Sequence, residues 1–258
     1  MDAVVLAGGI PKPDELLYPY TQGKPKALLD IHGKPMIQWV LDALSGAKQV
    51  DNVVLIGLTA DSNLTCAKPL SFIPNKLSMI ENILGGIHKV MEINPSATRI
   101  LLVSSDIPGI TSEMVDWEVE TVSQTDVDLC YNVVTREVIE ARYPGSRRTF
   151  TRLKGMEVCG GDLNVLRTSV ASMDPAIWEK LIASRKNPVK QAAIIGFDTL
   201  LLMLLRMITL DEAVKKATAR LSLSGKAIIC PYAEIAMDVD KPHQLEMMRA
   251  DLAKRAVD

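Results

Sequence analysis

Two adjacent glycines follow the first apolar run of the chain and could bind a polyphosphate. Residues Ala3 to Leu6 have the composition of a buried β-strand, and the chain continues through Ala7 into Gly8 and Gly9. Because glycine has no side chain, the backbone N–H groups of such a loop can approach phosphate oxygens closely. An ordinary tight turn fits the same pattern. The loop is not a P-loop, since the glycine–lysine–serine/threonine ending is missing, and no G-x-G-x-x-G occurs in the chain.

Carboxylates in two distant segments could bind a metal ion. Asp106 follows the apolar run Arg99 to Ser104, at the expected carboxyl end of a buried strand, where open α/β sheets bind ligands. Asp238 and Asp240 alternate along an extended segment, so both carboxylates should lie on one side of it. Carboxylate oxygens suit Mg²⁺, which commonly bridges to substrate phosphates. The sequence therefore predicts a magnesium site at Asp106 and the Asp238/Asp240 pair.

These residues belong to a chain in which short apolar strands alternate with helical patterns. The predicted strands are residues 3–6, 52–57, 71–74, 99–104, 128–135 and 226–231, and the predicted helices are 36–44, 79–92, 111–122, 175–219 and 242–256. The alternation is typical of an α/β fold, with a mostly parallel sheet covered by helices on both faces. It is lost in residues 141–167, where we expect an added lobe or an irregular sheet. With no repeat or linker visible, residues 1–258 are expected to form a single domain.

Three motifs in a fixed order make the interpretation specific. Leu6-Ala7-Gly8-Gly9 is followed by P-K-A-L-L at residues 25–29 and by G-K-P-M-I at residues 33–37, where a helix opens. This order resembles the nucleotidyltransferases of the GT-A type, and within them most of all a molybdopterin guanylyltransferase-like branch. The resemblance implies a Rossmann-like GT-A fold with a mostly parallel mixed sheet. It also implies that the glycine loop cradles a triphosphate and that Lys26 neutralises charge on it.

The resemblance assigns further roles along the chain. It makes Asp106 a metal-binding residue, catalytic together with Lys26, and places a metal ligand at the Asp238/Asp240 pair, where we favour Asp240. The helix after Ser78 opens where the family recognises the base or ribose, so Asn82 and Gly85 are candidates there. The segment Gly160-Gly161-Asp162-Leu163-Asn164 resembles the family's acceptor-side segment, with Gly161 and Asn164 as candidates. Residues 140–220 would then form the acceptor-side lobe and a helical insertion.

Basic residues in two segments could bind the phosphates of the substrates. Arg152 is our candidate for an acceptor phosphate, because guanidinium groups bind phosphate with paired donors, and Arg147 and Arg148 are alternatives. A solvated basic stretch fits the same residues. The guanylyltransferase pattern has an arginine soon after the paired glycines, whereas residues 10–22 lack arginine. Lys12 or Lys24 could supply that charge, and the departure weakens the case for guanine and molybdopterin in particular.

Composition excludes several classes of function. The net charge of −2, from 29 basic and 31 acidic residues, does not favour a nucleic-acid partner. The four cysteines have no C-x-x-C pair, which indicates reduced thiols in a cytoplasmic protein rather than a disulfide framework. The apolar stretch 192–205 falls short of the about 20 residues that span a bilayer. We expect a buried helix there, which could lie at a homodimer contact.

Taken together, the sequence predicts a magnesium-dependent nucleotidyltransferase. It would move a nucleoside monophosphate from CTP or GTP to a small phosphorylated acceptor, such as a sugar phosphate, a polyol phosphate or a molybdopterin-like molecule, and release pyrophosphate. Two alternatives remain open: a glycosyltransferase that uses a nucleotide sugar, and a nucleotide-binding module without catalysis.

Overall fold

The computed structural model of the chain describes residues 1–76, 78–173 and 196–255. Its strands, in chain order, are β1 (Asp2–Leu6), β2 (Asp30–Ile31), β3 (Lys34–Pro35), β4 (Val53–Ile56), β5 (Leu70–Ile73), β6 (Arg99–Ser104), β7 (Leu129–Thr135), β8 (Thr151–Leu153), β9 (Met156–Gly160), β10 (Leu163–Arg167) and β11 (Gly225–Ile229). Its α-helices are α1 (Tyr18–Thr21), α2 (Met36–Gly46), α3 (Met79–Ile93), α4 (Ser112–Ser123), α5 (Arg136–Arg142), α6 (Phe197–Leu204), α7 (Leu210–Ala219) and α8 (Pro242–Arg255).

Among the described residues, nine strands form one mixed sheet. Their order is β5-β4-β1-β6-β10-β7-β9-β8, with β11 also paired to β7. The half that contains β5, β4, β1 and β6 is parallel throughout. Strands β1 and β4 are almost wholly buried apolar runs, as is usual for parallel strands covered on both faces. This half confirms the mostly parallel sheet predicted from the sequence.

The other half of the sheet is where the structure differs from the sequence-based expectation. Strand β10 lies antiparallel between β6 and β7, and β9 pairs antiparallel with β7. Residues 141–167 therefore supply strands to the main sheet, where we had expected an added lobe or an irregular sheet. Since β6 and β7 both run antiparallel to β10, their carboxyl ends lie at the same edge of the sheet as that of β1.

Helices cover both faces of the sheet. One face packs on α2, α4 and α8 through a large core that includes Val5, Val40, Val115 and Leu245. The opposite face carries two smaller cores, one between the parallel strands and α3 and one between β7, β9 and the α6–α7 pair. Helix α3 lies especially close to β1, because a Cβ at Gly86 would be 2.4 Å from a methyl of Val4.

The apolar stretch 192–205 is described only from residue 196 onward, and residues 174–195 of the predicted helical region also lie outside the described residues. The described part forms α6, in which Leu201 is 55% exposed, as is Leu205 just beyond it. This part is therefore only partly covered within the single chain, and its burial at a homodimer contact stays a prediction. None of the helices in the described ranges is both long enough and apolar enough to cross a membrane.

Candidate active site

The paired glycines form the floor of a cleft at the carboxyl edge of the sheet. Gly57, at the end of β4, has φ +100°, and a Cβ there would lie 2.4 Å from the Cα of Gly8. The Asn75 side chain packs on the other side of Gly8 and donates a hydrogen bond of 3.2 Å to its carbonyl. Gly9 is exposed, and a Cβ added to it would meet nothing within 4 Å. The loop is thus fixed by its neighbours at Gly8 and open at Gly9.

Lys26 and two carboxylates meet beside this loop. The Lys26 Nζ lies 2.5 Å from Asp106 Oδ2 and 2.7 Å from Asp240 Oδ1. Its backbone N–H donates to the Gly9 carbonyl at 2.8 Å, which ties the lysine segment to the glycine loop. Burial alone would lower the pKa of the Lys26 amine, but Asp106 and Asp240 outweigh that effect and hold its pKa above the ordinary value.

Backbone hydrogen bonds bring the two carboxylate segments together. Asp106 follows β6, and its carbonyl accepts a 2.9 Å hydrogen bond from the N–H of Val239, between Asp238 and Asp240. The Ser104 hydroxyl donates to Asp106 Oδ1 at 2.6 Å. The Asp106 side chain is largely buried, whereas that of Asp240 is 58% exposed. Burial alone would raise the pKa of Asp240, but Asp238 and Lys26 outweigh it and lower that pKa.

A second pair of acidic residues, Asp238 and Asp162, lies near Asp106 and Asp240. Asp238 forms an ion pair with Arg148, and both side chains are largely buried. Burial raises the pKa of Asp238 to about 7, although Arg148 opposes the shift. Asp162 is held at the end of β6, because its carbonyl accepts from the N–H of Ser104 at 2.9 Å. Burial, reinforced by the charges of Asp238 and Asp106, raises the pKa of Asp162 to about 8.

The glycine loop, Lys26 and Asp106 line a cleft of about 350 Å³, which extends to the start of α3. Asn82 lies at that end, where its side chain donates to Asn75 Oδ1 at 2.8 Å and accepts from the N–H of Lys76 at 2.7 Å. Leu6 lines the cleft as well, whereas Ala7 is buried in the core and donates its N–H to the Ile56 carbonyl. The cleft therefore joins most of the nucleotide-side candidates predicted from the sequence.

Other predicted site residues do not line the cleft, and one of them is hydrogen-bonded to the backbone instead. Gly85 faces Ile73 of β5 and does not line the cleft. The Asn164 amide accepts from the N–H of Asn132 at 2.8 Å and donates to the Gly161 carbonyl at 2.9 Å, so it fixes the turn before β10. Gly161 is buried in that turn, packed between Ile235 and Asn132.

The basic candidates are placed differently from one another. Arg152 lies on β8, is 56% exposed, and pairs with Glu157 at 3.0 Å. Arg148, which was our alternative to Arg152, forms the ion pair with the Asp238 side chain. Lys12 and Lys24 are exposed and do not line the cleft, whereas Lys76 does.

Sequence reasoning missed Asn75, Lys76, Ser104 and Asp162. The first two follow β5, and Ser104 ends β6, so a polar residue at the carboxyl end of an apolar run was the available signal. Asp162 stands in the glycine-rich segment before β10, where its acidity was the signal. Within the described residues no group of three or more His, Cys, Asp or Glu side chains is arranged to hold a metal ion by itself.

Comparisons with known proteins concern the family and the fold of the chain. A family model described as the MobA-like NTP transferase domain matches residues 3–172, a range that includes the glycine loop, Lys26 and Asp106 but ends before Asp238. A probable molybdenum cofactor guanylyltransferase from Thermococcus sibiricus is 27% identical over 132 residues, which are 50% of this chain and 60% of that relative. The chain thus matches less than two thirds of the length of that relative.

Two solved structures extend the comparison to the whole chain. A hypothetical transferase from Thermus thermophilus has a TM-score of 0.81 and 31% identity, covering 95% of this chain and 98% of its own. A CMP:2-keto-3-deoxy-manno-octonic acid synthetase complexed with CTP has a TM-score of 0.58 and 16% identity, covering 98% and 99%. The second likeness concerns the fold alone, and it agrees with the predicted Rossmann-like nucleotidyltransferase fold. With two thirds of its length matched by one family model, the chain belongs to the MobA-like NTP transferase family.

Proposed function

We propose that this protein transfers a nucleoside monophosphate from a Mg²⁺-bound nucleoside triphosphate to a small phosphorylated acceptor, with release of pyrophosphate. One observation carries the proposal. Lys26 Nζ lies within 2.7 Å of carboxylates from two segments far apart in the chain, Asp106 and Asp240, beside the open glycine loop. An amine, two hard oxygen ligands and the exposed backbone of Gly9 are together the means of neutralising a triphosphate.

The cleft has suitable groups for a nucleotide along its length. The backbone N–H of Gly9 can face phosphate oxygens, and the Lys76 side chain adds positive charge nearer the α3 end of the cleft. Asn82 presents an amide at the end near α3, where it could face a base or ribose. CTP and GTP are the two donors that we favour, and the synthetase of the same fold that was solved with CTP supports the first.

The cluster of four aspartates beside Lys26 fits Mg²⁺ in both charge and donor type. Asp106, Asp162, Asp238 and Asp240 face two cationic partners, Lys26 and Arg148. The buried Asp238 Oδ1 contacts the Arg148 guanidinium in an ion pair without a well-formed hydrogen bond. Mg²⁺ is typically held by one or two carboxylates together with substrate phosphates, so Asp106 and Asp240 suffice as protein ligands. The ion would supply a positive charge that draws electron density from the reacting phosphate.

Lys26 would change partners when the nucleotide binds. Its ammonium pairs with the same carboxylates that would hold Mg²⁺, and both cations cannot use those oxygens in the same way. We infer that the amine turns to the triphosphate and keeps its charge there, since the negative phosphate oxygens would replace Asp106 and Asp240, the carboxylates that raise the pKa of Lys26 against the effect of burial. Its role is to offset negative charge as pyrophosphate leaves.

Arg148 and Asp162 lie on the acceptor side in this proposal. The Arg148 guanidinium pairs with Asp238 through Nη1, and its buried Nε makes no well-formed hydrogen bond. Such a group suits an acceptor phosphate through its remaining donors. The acceptor oxygen would attack the α-phosphorus in line with the leaving pyrophosphate, and the protein contributes mainly position and charge.

A pyrophosphate-release assay tests the proposal. Purified protein is incubated with each common NTP, Mg²⁺ and a panel of sugar phosphates, polyol phosphates and molybdopterin. Asp106→Asn and Lys26→Met are each expected to lower the rate by about 10²–10⁴-fold, because each removes charge stabilisation from the transition state.

Lys34→Met and Asp42→Asn are the matched controls, since these two residues form an exposed 2.8 Å ion pair away from the cleft. Both controls should keep the parent rate. Parent-rate pyrophosphate release from Asp106→Asn would refute the assignment. Formation of a free nucleoside diphosphate from a nucleotide sugar would point instead to glycosyl transfer.

A further inference from the structure

A second, apolar pocket lies on the sheet face that carries α6 and α7. It has a volume of about 290 Å³ and is enclosed by β7, β8 and β9 on one side and by the two helices on the other. Its walls are almost wholly hydrocarbon, with Val133 and Val158 from the sheet and Met203, Ala213 and Val214 from the helices. Pockets lined in this way bind the apolar parts of small ligands.

Tyr131 connects this pocket to the acceptor side of the candidate active site. Its ring lines the pocket, and its hydroxyl lies so close to Gly160 that a Cβ there would overlap with it. Gly160 is two residues before Asp162. Burial raises the pKa of Tyr131, and the nearby charges of Asp162 and Asp238 raise it further. The hydroxyl of Tyr131 therefore lies at Gly160, from which the chain leads directly to Asp162, and its ring lines the pocket.

The pocket also contains a polar group without a partner. Thr199 of α6 lines it and is 0% exposed, yet the Thr199 Oγ1 makes no hydrogen bond with any described residue. Buried hydroxyl groups are nearly always hydrogen-bonded, so one that is not indicates a ligand or water partner. A hydrocarbon chain cannot satisfy this hydroxyl, so a water molecule or a polar atom of the ligand would lie beside it. The observation is independent of the shape of the pocket.

We propose that this pocket binds the hydrocarbon part of the acceptor, and that the acceptor is therefore an amphiphilic monophosphate rather than a wholly polar sugar phosphate. The inference rests on the proposed function, because it takes the phosphate of that acceptor to lie near Arg148. The phosphate end would face Arg148 and Asp162, and the apolar end would pass Tyr131 into the space between β7 and α7.

Binding of a homologous series of alkyl phosphates tests the inference. The dissociation constants of butyl, hexyl and octyl phosphate are measured by isothermal titration calorimetry on the full chain, below the concentrations at which these probes aggregate. Each added methylene should tighten binding about fourfold while the pocket is being filled. Ala213→Phe, which fills the pocket, should remove this dependence on chain length, and Ala217→Phe provides a second variant in case the first does not fold.

Ala219→Phe is the matched control, because it makes the same change on the exposed face of the same helix. It should keep the chain-length dependence of the parent. Dissociation constants that do not vary with chain length in the parent protein, or that vary equally in both pocket variants, overturn the inference. If pyrophosphate is still released with polar phosphates in that case, the proposed function stands alone. If no acceptor of either kind gives pyrophosphate, the proposed function fails, and the identification of the occupant as an acceptor fails with it.

Discussion

Lys26 is the residue whose surroundings define the candidate site. Its ammonium is held between Asp106 and Asp240, which lie 134 positions apart in the numbering and meet only through the fold. The type and order of the motifs predicted this meeting. They did not predict that the amine would bridge the two carboxylates directly, because the sequence gives no side-chain direction. Nor did they predict that Arg148, and not Arg152, would pair with Asp238, since that contact depends on the path of the loop after α5.

Removal of the Lys26 charge should strengthen the binding of divalent cations by the protein alone. Lys26→Met leaves Asp106 and Asp240 without their shared cation, so the affinity for Mn²⁺ in place of Mg²⁺ should rise by roughly tenfold or more. The affinity for Mn²⁺ should rise in the same variant that loses activity. A merely structural role of Lys26 would not predict that rise. Electron paramagnetic resonance of free Mn²⁺ measures the affinity, with Lys34→Met as the control. An unchanged affinity would contradict the shared-oxygen arrangement.

At the scale of elements, the sequence predicted the parallel half of the sheet better than the rest. The run Arg99–Ser104 was predicted with the bounds that the structure has, because strands buried on both faces are continuous apolar segments. Strand β10 (Leu163–Arg167) was missed, although it is central to the sheet. It is short and follows two glycines. Its pairing with β6 and β7 cannot be predicted from a sequence of five residues. The turn before it depends on the Asn164 amide, which the sequence suggested as a ligand contact.

Helix α4 carries a buried acid that makes the packing of this helix sensitive to pH. Glu118 is 0% exposed, and neither carboxylate oxygen has a well-formed hydrogen bond. Burial raises the pKa of Glu118 from 4.5 to about 7, and the nearby Asn132 side chain offsets only part of the shift. The protonated form is thus favoured in the folded state. Stability linked to this residue is fully present below pH 4.5 and is lost as the pH rises through about 7.

Glu118→Gln should therefore stabilise the protein at alkaline pH and change little at acid pH. The difference between variant and parent in the free energy of unfolding should be close to zero at pH 4 and reach at most about 3 kcal/mol at pH 8. Urea unfolding at a series of pH values measures it. Glu120→Gln, on the same helix but exposed, is the control and should show no such trend. A constant difference across the pH range would show that Glu118 ionises normally in the folded state.

At the scale of the whole molecule, the candidate site draws on residues from Gly8 to Asp240. Strand β1 is flanked by β4 and β6, so the glycine loop is in place only when the parallel half of the sheet has formed. The Asp238–Asp240 segment reaches Asp106 through the Val239 hydrogen bond, so the end of the described chain must also be docked. A ligand that contacts both regions binds the folded state and not the unfolded chain. Its binding energy should then appear as global stability.

Nucleotide and Mg²⁺ together should raise the melting temperature of the full chain. At a ligand concentration about 100 times its dissociation constant, linkage adds about 2.7 kcal/mol. For a chain of this size that corresponds to a rise of about 5–10 °C. The shift should require both components, because the carboxylates bind the metal and the loop binds the phosphates. Scanning calorimetry with CTP and with GTP measures the shift, and the nucleotide that gives the larger rise is the preferred donor. Asp106→Asn should reduce the shift, whereas Asp42→Asn should preserve it. An equal rise without Mg²⁺, or in Asp106→Asn, would mean that the nucleotide binds elsewhere than beside Lys26.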